Sequence, residues 1–565
     1  MNAHPTQLLA ALRLQDRAIV EMDTGEGKTL AVALAAAQFA ADGRSVCIAT
    51  ANDYLAQRDA DWMRPVYRDR GHRVAAVTAM TKDSEKASAY AEQIVYGTIR
   101  QFGFDLLKCR LSNRRLSGEA VQNRLGGNSP LPAMDVLIVD EADSILIDEA
   151  RTPLLIVGQD DSSDALGQPD ARAALYRWAA DFCQTLNFQR DVVIDQATAG
   201  IAITESGYAK LIESKMPQSI HASTTTEIVH CVETTIRAML SFSRDQHYVV
   251  DDGKIVLIDE YTGRKQIDRS LGGGLHEALQ AREGLTIGKQ SRPLARMTIQ
   301  DFVGQFAHLC GITGTAMEDR HEFENVYDLS IRRIDPLRPS QRVMLPAVVC
   351  RSETEKFLAI TSEVKQMVTI GRPVLVGTRT IENSKRLSDL FREQGIAHEV
   401  LNANQAAYEA ERIAAAGRRG QVTVATNMAG RGTDIALGEG VDEVGGLHTI
   451  VSEIHSAKRI DRQLIGRAAR QGDRGSARCY FSPDDELIRH AYGSDFAERL
   501  KKKVMSSTKW TQRDQRSLRA KIIRAQRMIS QSNRRWRQTL TKAERELADD
   551  LKELGLDPNL DPLRE

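Results

Sequence analysis

The chain has 565 residues, of which 42% are hydrophobic and 15 are proline, a composition for about three or four compact domains. Its 76 basic and 76 acidic side chains cancel, so no net field draws the whole protein to nucleic acid or to a membrane, and only local patches can do so. The seven cysteines include no CxxC pair, which argues against a disulfide framework or a zinc site and fits a reducing compartment. The longest apolar stretch, Leu30 to Ala41, is shorter than the roughly 20 residues a membrane span requires. No secretory leader pattern opens the sequence.

In chain order, short apolar runs at Ala18 to Met22, Val46 to Thr50, Gln93 to Thr98 and Asp135 to Asp140 alternate with helical patterns, the signature of a parallel α/β sheet. A second set, Pro373 to Thr378, His398 to Asn402, Val422 to Thr426, Leu447 to Val451 and Ala477 to Phe481, predicts a second sheet. Between them, from about Gly158 to Arg296, the pattern becomes irregular, with strand-like segments at His247 to Asp251 and Lys254 to Ile258, and reads as an insertion. Beyond Asp485, Leu518, Ile522, Met528, Ile529, Trp536 and Leu540 recur at helical spacing among many charges and predict a long helix.

Met22-Asp-Thr-Gly-Glu-Gly-Lys-Thr29 follows the first strand and opens a helix, the context in which glycines let backbone N–H groups close around phosphate oxygens. Met22 stands where the full phosphate-loop pattern has its first glycine. Gly25, Glu26, Gly27, Lys28 and Thr29 are the candidate phosphate contacts, with Lys28 neutralising phosphate charge and Thr29 holding Mg²⁺. Asp140-Glu-Ala-Asp143 closes the Asp135 to Asp140 strand and offers Asp140 for the metal and Glu141 to deprotonate a water; an acidic helix cap is the plainer alternative. Arg467 and Arg470, three residues apart on one helix face, are placed to stabilise phosphoryl-transfer charge across an interface. Arg431 and Asp434, in the glycine-rich loop Thr426 to Asp434, suit nucleotide contact, and Ile312 to Ala316 is a candidate coupling loop. The expected fold is α/β, two RecA-like P-loop domains with parallel sheets, with ATP between them.

These motifs resemble the SecA preprotein-translocase ATPase family over nearly the whole chain. The resemblance is carried by His4–Leu9, Glu21–Thr29, Asn52–Asp59, Tyr96–Thr98, Phe102–Asp105, Val139–Pro153, Ile258–Arg264, Gly274–His276, Pro373–Thr378, Asn427–Asp434 and Gly445–His448. The run Ser144-Ile-Leu-Ile-Asp-Glu-Ala-Arg-Thr-Pro153 is its most specific part, because general helicases share the phosphate loop and the Asp-Glu-Ala-Asp box but not that extension. The resemblance implies an ATPase that moves unfolded preproteins through a SecYEG-type channel, cytoplasmic and peripheral on the cytoplasmic membrane face, with Gln7 reading adenine, Asp434 touching nucleotide, and Arg467 and Arg470 as arginine fingers.

The implied division is residues 1–158 with 296–335 as the first RecA-like domain, 159–295 as an inserted α+β preprotein-clamp domain, 336–490 as the second RecA-like domain, and 491–565 as a basic helical scaffold. Three departures from the family pattern favour ATP turnover over complete translocation. Little precedes Gln7, the chain stops near the end of the scaffold helix, and Val451 to Arg459 is less arginine-rich. Residues 499–545 hold 16 Lys or Arg against 2 Asp or Glu, a net of +14 that would attract acidic phospholipids or RNA. The plainer reading, and the favoured one, has Ile522, Ile529 and Trp536 packed on the motor with the arginines paired to acidic faces. An RNA-dependent superfamily 2 ATPase or helicase is the alternative function, disfavoured by the insertion; a degenerate accessory protein is disfavoured by the joint presence of Lys28, Glu141, Arg467 and Arg470.

Overall fold

A computed structural model describes residues 3–114, 134–159, 169–188, 190–194, 201–217, 220, 224–244, 247–258, 265–266, 271–287, 291–401, 406–426, 432–507, 509–553 and 557–559. Two compact units result, one of residues 1–155 with 295–565 and the other of residues 156–294.

The larger unit holds two lobes, each built on a parallel sheet. In the first lobe the strand order is Ser330–Ile334, Ala18–Met22, His308–Thr313, Val136–Asp140, Val46–Thr50, Ile94–Thr98, Val74–Val77, with every pairing parallel. Two of the four strands expected from apolar runs keep their bounds, and the other two start one residue later, at Ile94 and Val136. The three additional strands lacked a comparable signal. Val74–Val77 is a half-buried edge, while His308–Thr313 and Ser330–Ile334 return to the sheet only after the insertion. His308–Thr313 enters between Ala18–Met22 and Val136–Asp140, so three functional loops leave neighbouring carboxyl ends, where open α/β sheets bind ligands.

The second lobe orders Gln341–Met344, Arg474–Phe481, Leu447–Val451, Val374–Thr378, Val422–Thr426, Glu399–Leu401, with Val348–Val349 also beside Arg474–Phe481. Arg474–Phe481 begins three residues before the apolar run expected at Ala477, because Gly475 and Ser476 continue the ladder despite their polar character. Both lobes are thus α/β and RecA-like.

The helix Gln512–Glu553 buries Leu518, Ile522 and Ala525 in the core of the second lobe, with Ile529 packed alongside. Trp536 departs from the expected packing: it is 63% exposed. The next residue instead makes the contact, Arg537 meeting Glu322 of the first lobe in a buried two-pronged ion pair. Trp536 falls 14 residues after Ile522, on nearly the same helix face, and is exposed because it lies beyond Ile529, where the packing on the second lobe's core ends. Among the described residues no helix is long and apolar enough to cross a membrane.

The smaller unit has its own apolar core, in which helices Pro169–Gln184, Thr225–Ser241 and Leu275–Arg282 meet and Trp178 stacks on Phe182 at 5.4 Å. The two strand-like segments read from the sequence form an antiparallel hairpin, Tyr248–Asp251 with Lys254–Ile258. Its turn residues Asp252 and Gly253 both have positive φ, the geometry an Asp-Gly hairpin turn requires. Asp191 organises a polar cluster beside this core: its carboxylate accepts from the Asn187 N–H at 2.9 Å, the Ser206 hydroxyl at 2.8 Å and Lys210 Nζ at 2.6 Å. These contacts, the Lys210 hydrogen bond foremost, pull its pKa down to about 2.

Candidate nucleotide site

Strand Ala18–Met22 runs fully buried into the loop Asp23–Gly27, and helix Lys28–Ala41 starts immediately after it. Small side chains let this helix bury most of its length against the sheet and against helix Pro5–Arg13. Gly27 caps the helix at φ +83°, and Gly25 sits at φ +95°, conformations that disfavour any side chain. Space is as restrictive as angle. A Cβ on Gly27 would lie 2.2 Å from Gln7 Nε2, and one on Gly25 would lie 3.0 Å from Arg470 Cδ.

Lys28, nearly buried, places Nζ 3.7 Å from Glu141 Oε1. At an effective dielectric of about 20, unit charges this close attract by on the order of 4 kcal/mol, so Lys28 restrains Glu141 until another anion competes for it. Glu141 adopts φ +57°, unusual for a residue with a side chain, and its N–H takes Asp140 Oδ1 at 2.9 Å. Burial, then the neighbouring Glu141 charge, pushes the Asp140 carboxyl up, with Lys28 opposing. Thr29 follows on the first helical turn, half-buried.

Gln7 faces the same loop. Its Nε2 donates to Glu26 O at 3.0 Å and its Oε1 accepts from the His4 N–H at 2.9 Å, so the amide is tied to both the loop and its own helix start. Glu26 in turn accepts the Leu337 N–H at 3.2 Å.

The second lobe closes the cleft. The aliphatic part of Arg470 lies on Gly25, its guanidinium pairs with Asp434, and Gln471 Nε2 donates to Gly25 O at 3.1 Å. Arg470 Nη2 is buried with no hydrogen-bond partner, an unspent donor beside the phosphate loop. The helix expected to carry both arginines on one face ends at Ile465, so Arg467 and Arg470 lie in the turn beyond it, and Arg467 Nη1 donates to Thr433 O at 2.9 Å. Lys28, Asp140, Glu141, Gly25, Glu26, Gly27, Thr29 and Gln7 are therefore gathered at one carboxyl edge, with Arg470 and Asp434 meeting them from the other lobe, while Arg467 is held by its own lobe. Arg431 lies outside the described residues.

Several contacts across the seam carried no sequence signal of partnership. Asp143, fully buried, accepts from the hydroxyls of Thr313 (2.6 Å) and Thr315 (2.8 Å), and from Gln463 Nε2 of the second lobe at 2.6 Å. The candidate coupling loop and the arginine-bearing segment thus share one carboxylate. Arg459, 2% exposed, grips Asp148 with both Nη atoms, and Nε stands 2.7 Å from Asp319 Oδ2 but out of line for a hydrogen bond, leaving a Coulombic contact. Burial works against that charge, yet Asp148, Asp319 and Asp143 outweigh it and raise the Arg459 pKa. Both Nη atoms of Arg58 reach Gly432 O, at 3.1 and 3.2 Å. On the scaffold helix, Gln526 Nε2 donates to Asp461 Oδ2 and His455 O, each at 2.7 Å. The signal available for Asp148 and Arg459 was their place in distinctive runs, which names neither as the other's partner.

With this geometry in view, residues 1–324 match the SecA DEAD-like domain, and residues 339–444 and 439–509 match the SecA P-loop domain. A curated relative, protein translocase subunit SecA 2 of Rhodopirellula baltica, is 39% identical over 99% of this chain and 86% of its own length. The chain belongs to the SecA family. It carries that family's pair of ATPase domains, with a nucleotide-binding P-loop. Protein translocase subunit SecA of Heliobacterium modesticaldum is 41% identical over 86% of this chain, which spans 55% of that relative's length. Among solved structures, the DEAD-box helicase Mss116 bound to ssRNA and UDP-BeF is similar over 94% of this chain and 83% of its own, with TM-score 0.43 and 12% identity.

Proposed function

We infer that this SecA-family chain is an ATP-hydrolysing motor of protein translocation, whose cleft closure moves unfolded preproteins through a SecYEG-type channel from the cytoplasmic face of the membrane. The observation that carries the reading is the meeting of the Gly25–Lys28 loop and Glu141 of one lobe with Arg470 and Gln471 of the other. The curated relatives' names, protein translocase subunit SecA and SecA 2, support the transport half.

The residues suit a nucleotide triphosphate with Mg²⁺, since glycines leave room where any Cβ would collide and Arg470 keeps a buried donor unspent. Bound ATP supplies the phosphoanhydride to be cleaved. The phosphate loop and Lys28 hold the anionic end, Thr29 and Asp140 are the metal contacts, and Gln7 and Asp434 flank the nucleotide. Lys28, once engaged with phosphate, releases Glu141, which takes a proton from the attacking water at Oε1 or Oε2. Arg470, with Arg467 three residues earlier, stabilises the charge that builds as the bond breaks. The domains follow as residues 1–158 with 296–335, 336–490, a clamp for extended polypeptide at 159–295, and a scaffold at 491–565 whose basic face would meet acidic phospholipids.

The deciding experiment measures ATP hydrolysis with unfolded preprotein and SecYEG vesicles, with acidic vesicles alone, and with single-stranded RNA. Stimulation by preprotein with the channel is expected, and stimulation by RNA alone would overturn the transport reading. Glu141→Gln should keep ATP binding and abolish turnover; unchanged turnover would remove Glu141 from the mechanism.

A further inference from the structure

Where the far end of helix Gln512–Glu553 meets the first lobe, a cleft of about 440 Å³ opens that shares no lining residue with the phosphate loop. Lys552, paired with Asp549 at 3.5 Å, lines it with Arg110, Arg296 and Arg545, and Asp301 is the acid among the lining residues. That acid is occupied locally: the Thr298 hydroxyl donates to Asp301 Oδ2 at 2.6 Å, in the cap of the short helix Ile299–Val303. Arg110 is partly satisfied, by Gln305 Oε1 at 2.9 Å and by Asp557 at 3.6 Å. Arg296 and Arg545 have no carboxylate within 4.0 Å among the described residues.

The cleft is built rather than incidental. Asn559 folds back so that its carbonyl accepts the Arg296 N–H at 2.8 Å, and Asp557 sits on Arg110, together closing one wall. Gln300, on the wall, donates to Ala150 O at 3.2 Å and so fixes the floor to the first lobe. The cations around this concavity repel one another, with Arg110 offset in part by Asp557 and Lys552 by Asp549, and the repulsion that remains is relieved by a compact ligand carrying two or more negative charges. The volume lies within the range of small-molecule sites.

We propose that this cleft binds a phosphoryl anion, presented either by a soluble phosphate ester or by an acidic lipid headgroup. It is gripped chiefly by Arg296 and Arg545, with Lys552 and Arg110 at the margins. Occupancy ties the end of the scaffold helix to the segment Arg296–Gln305, by which the chain re-enters the first lobe, and so stiffens the helix against both lobes it touches.

Calorimetric titration of the full chain with sodium pyrophosphate, its nucleotide cleft saturated with ADP and magnesium, tests the soluble source. One site is expected, weakened at least tenfold in Arg545→Glu, restored in Arg545→Lys, with ADP affinity equal in all three. Co-sedimentation of the same proteins with phosphatidylglycerol and with phosphatidylcholine vesicles tests the headgroup. Loss of phosphatidylglycerol binding in Arg545→Glu, retained in Arg545→Lys, assigns the lipid source, and a pyrophosphate effect with unchanged vesicle binding assigns the soluble one. Arg545 is exposed, so its replacement does not threaten folding. If Arg545→Glu changes neither titration nor sedimentation, the proposal is overturned, while equal loss with Arg545→Lys would reduce the effect to side-chain shape and overturn it too.

Discussion

Replacing Asp148 by Asn tests how much the seam depends on one buried ion pair. The substitution keeps shape and removes charge, leaving Arg459 2% exposed with Asp319 at 2.7 Å and Asp143 at 3.8 Å. Removing one partner of a buried pair outright costs about 3–5 kcal/mol, and the two remaining carboxylates offset part of that, so the expected loss is about 2 kcal/mol. The chain has several lobes, so global unfolding is a poor readout. Native-state hydrogen exchange of the amides in helix Lys458–Ile465 reports the local opening directly, and about 2 kcal/mol corresponds to exchange about 30-fold faster. In an Arg459→Met background the Asp148→Asn change should cost much less, giving a coupling of at least about 1 kcal/mol. Exchange within twofold of the parent, or strictly additive effects of the two changes, would refute the claim that this pair holds the lobes.

Gly25→Ala should lower affinity for a fluorescent ATP analogue by about tenfold without lowering the melting temperature, because the loop must leave φ +95° and push Arg470 away; unchanged affinity would mean the loop tolerates a Cβ. Gln463→Ala removes the donor that brings the second lobe to Asp143, and turnover should fall about tenfold with little change in KM, read from steady-state ATP hydrolysis. For Asp191, the folded pKa of about 2 lies below the ordinary carboxylate value of 3.8, so its contribution is present above about pH 4 and is lost as pH falls towards about 2. Acid titration followed by Trp178 fluorescence should therefore show a transition in the inserted unit that shifts to higher pH in Lys210→Ala, and an unshifted transition would remove Lys210 as the cause.

The fold was legible where burial writes itself as an apolar run. Val46–Thr50 and Val422–Thr426 are buried throughout and kept their expected bounds. Gln341–Met344 was illegible because it is an exposed edge whose residues alternate without an apolar face. Trp536 was misread because aromatic character and helical spacing say which residues share a face, not how far along the helix its support extends. In the site, residues whose role is fixed by local backbone, such as Gly27 and Lys28, could be named from spacing alone. Arg459 and Asp148 could not be paired, since 311 residues separate them and only the meeting of two lobes makes them neighbours.

The eight residues of helix Lys458–Ile465 carry several of the contacts that join the lobes among the described residues. Arg459 meets Asp148 and Asp319, Arg462 lies 3.6 Å from Glu21 and 3.3 Å from Glu318, and Gln463 reaches Asp143. On its other side Asp461 takes Gln526 of the scaffold helix. A helix this short, fixed at both faces, cannot shift one contact and keep the rest, because packed side chains rearrange between discrete arrangements rather than stretching. Arg467 and Arg470 follow it by two and five residues, so any displacement that breaks Arg459 from Asp148 also withdraws the Arg470 side chain from Gly25. Opening of the seam and disarming of the cleft are on this argument one motion, and a variant that exposes Arg459 while leaving Arg470 against Gly25 would contradict it.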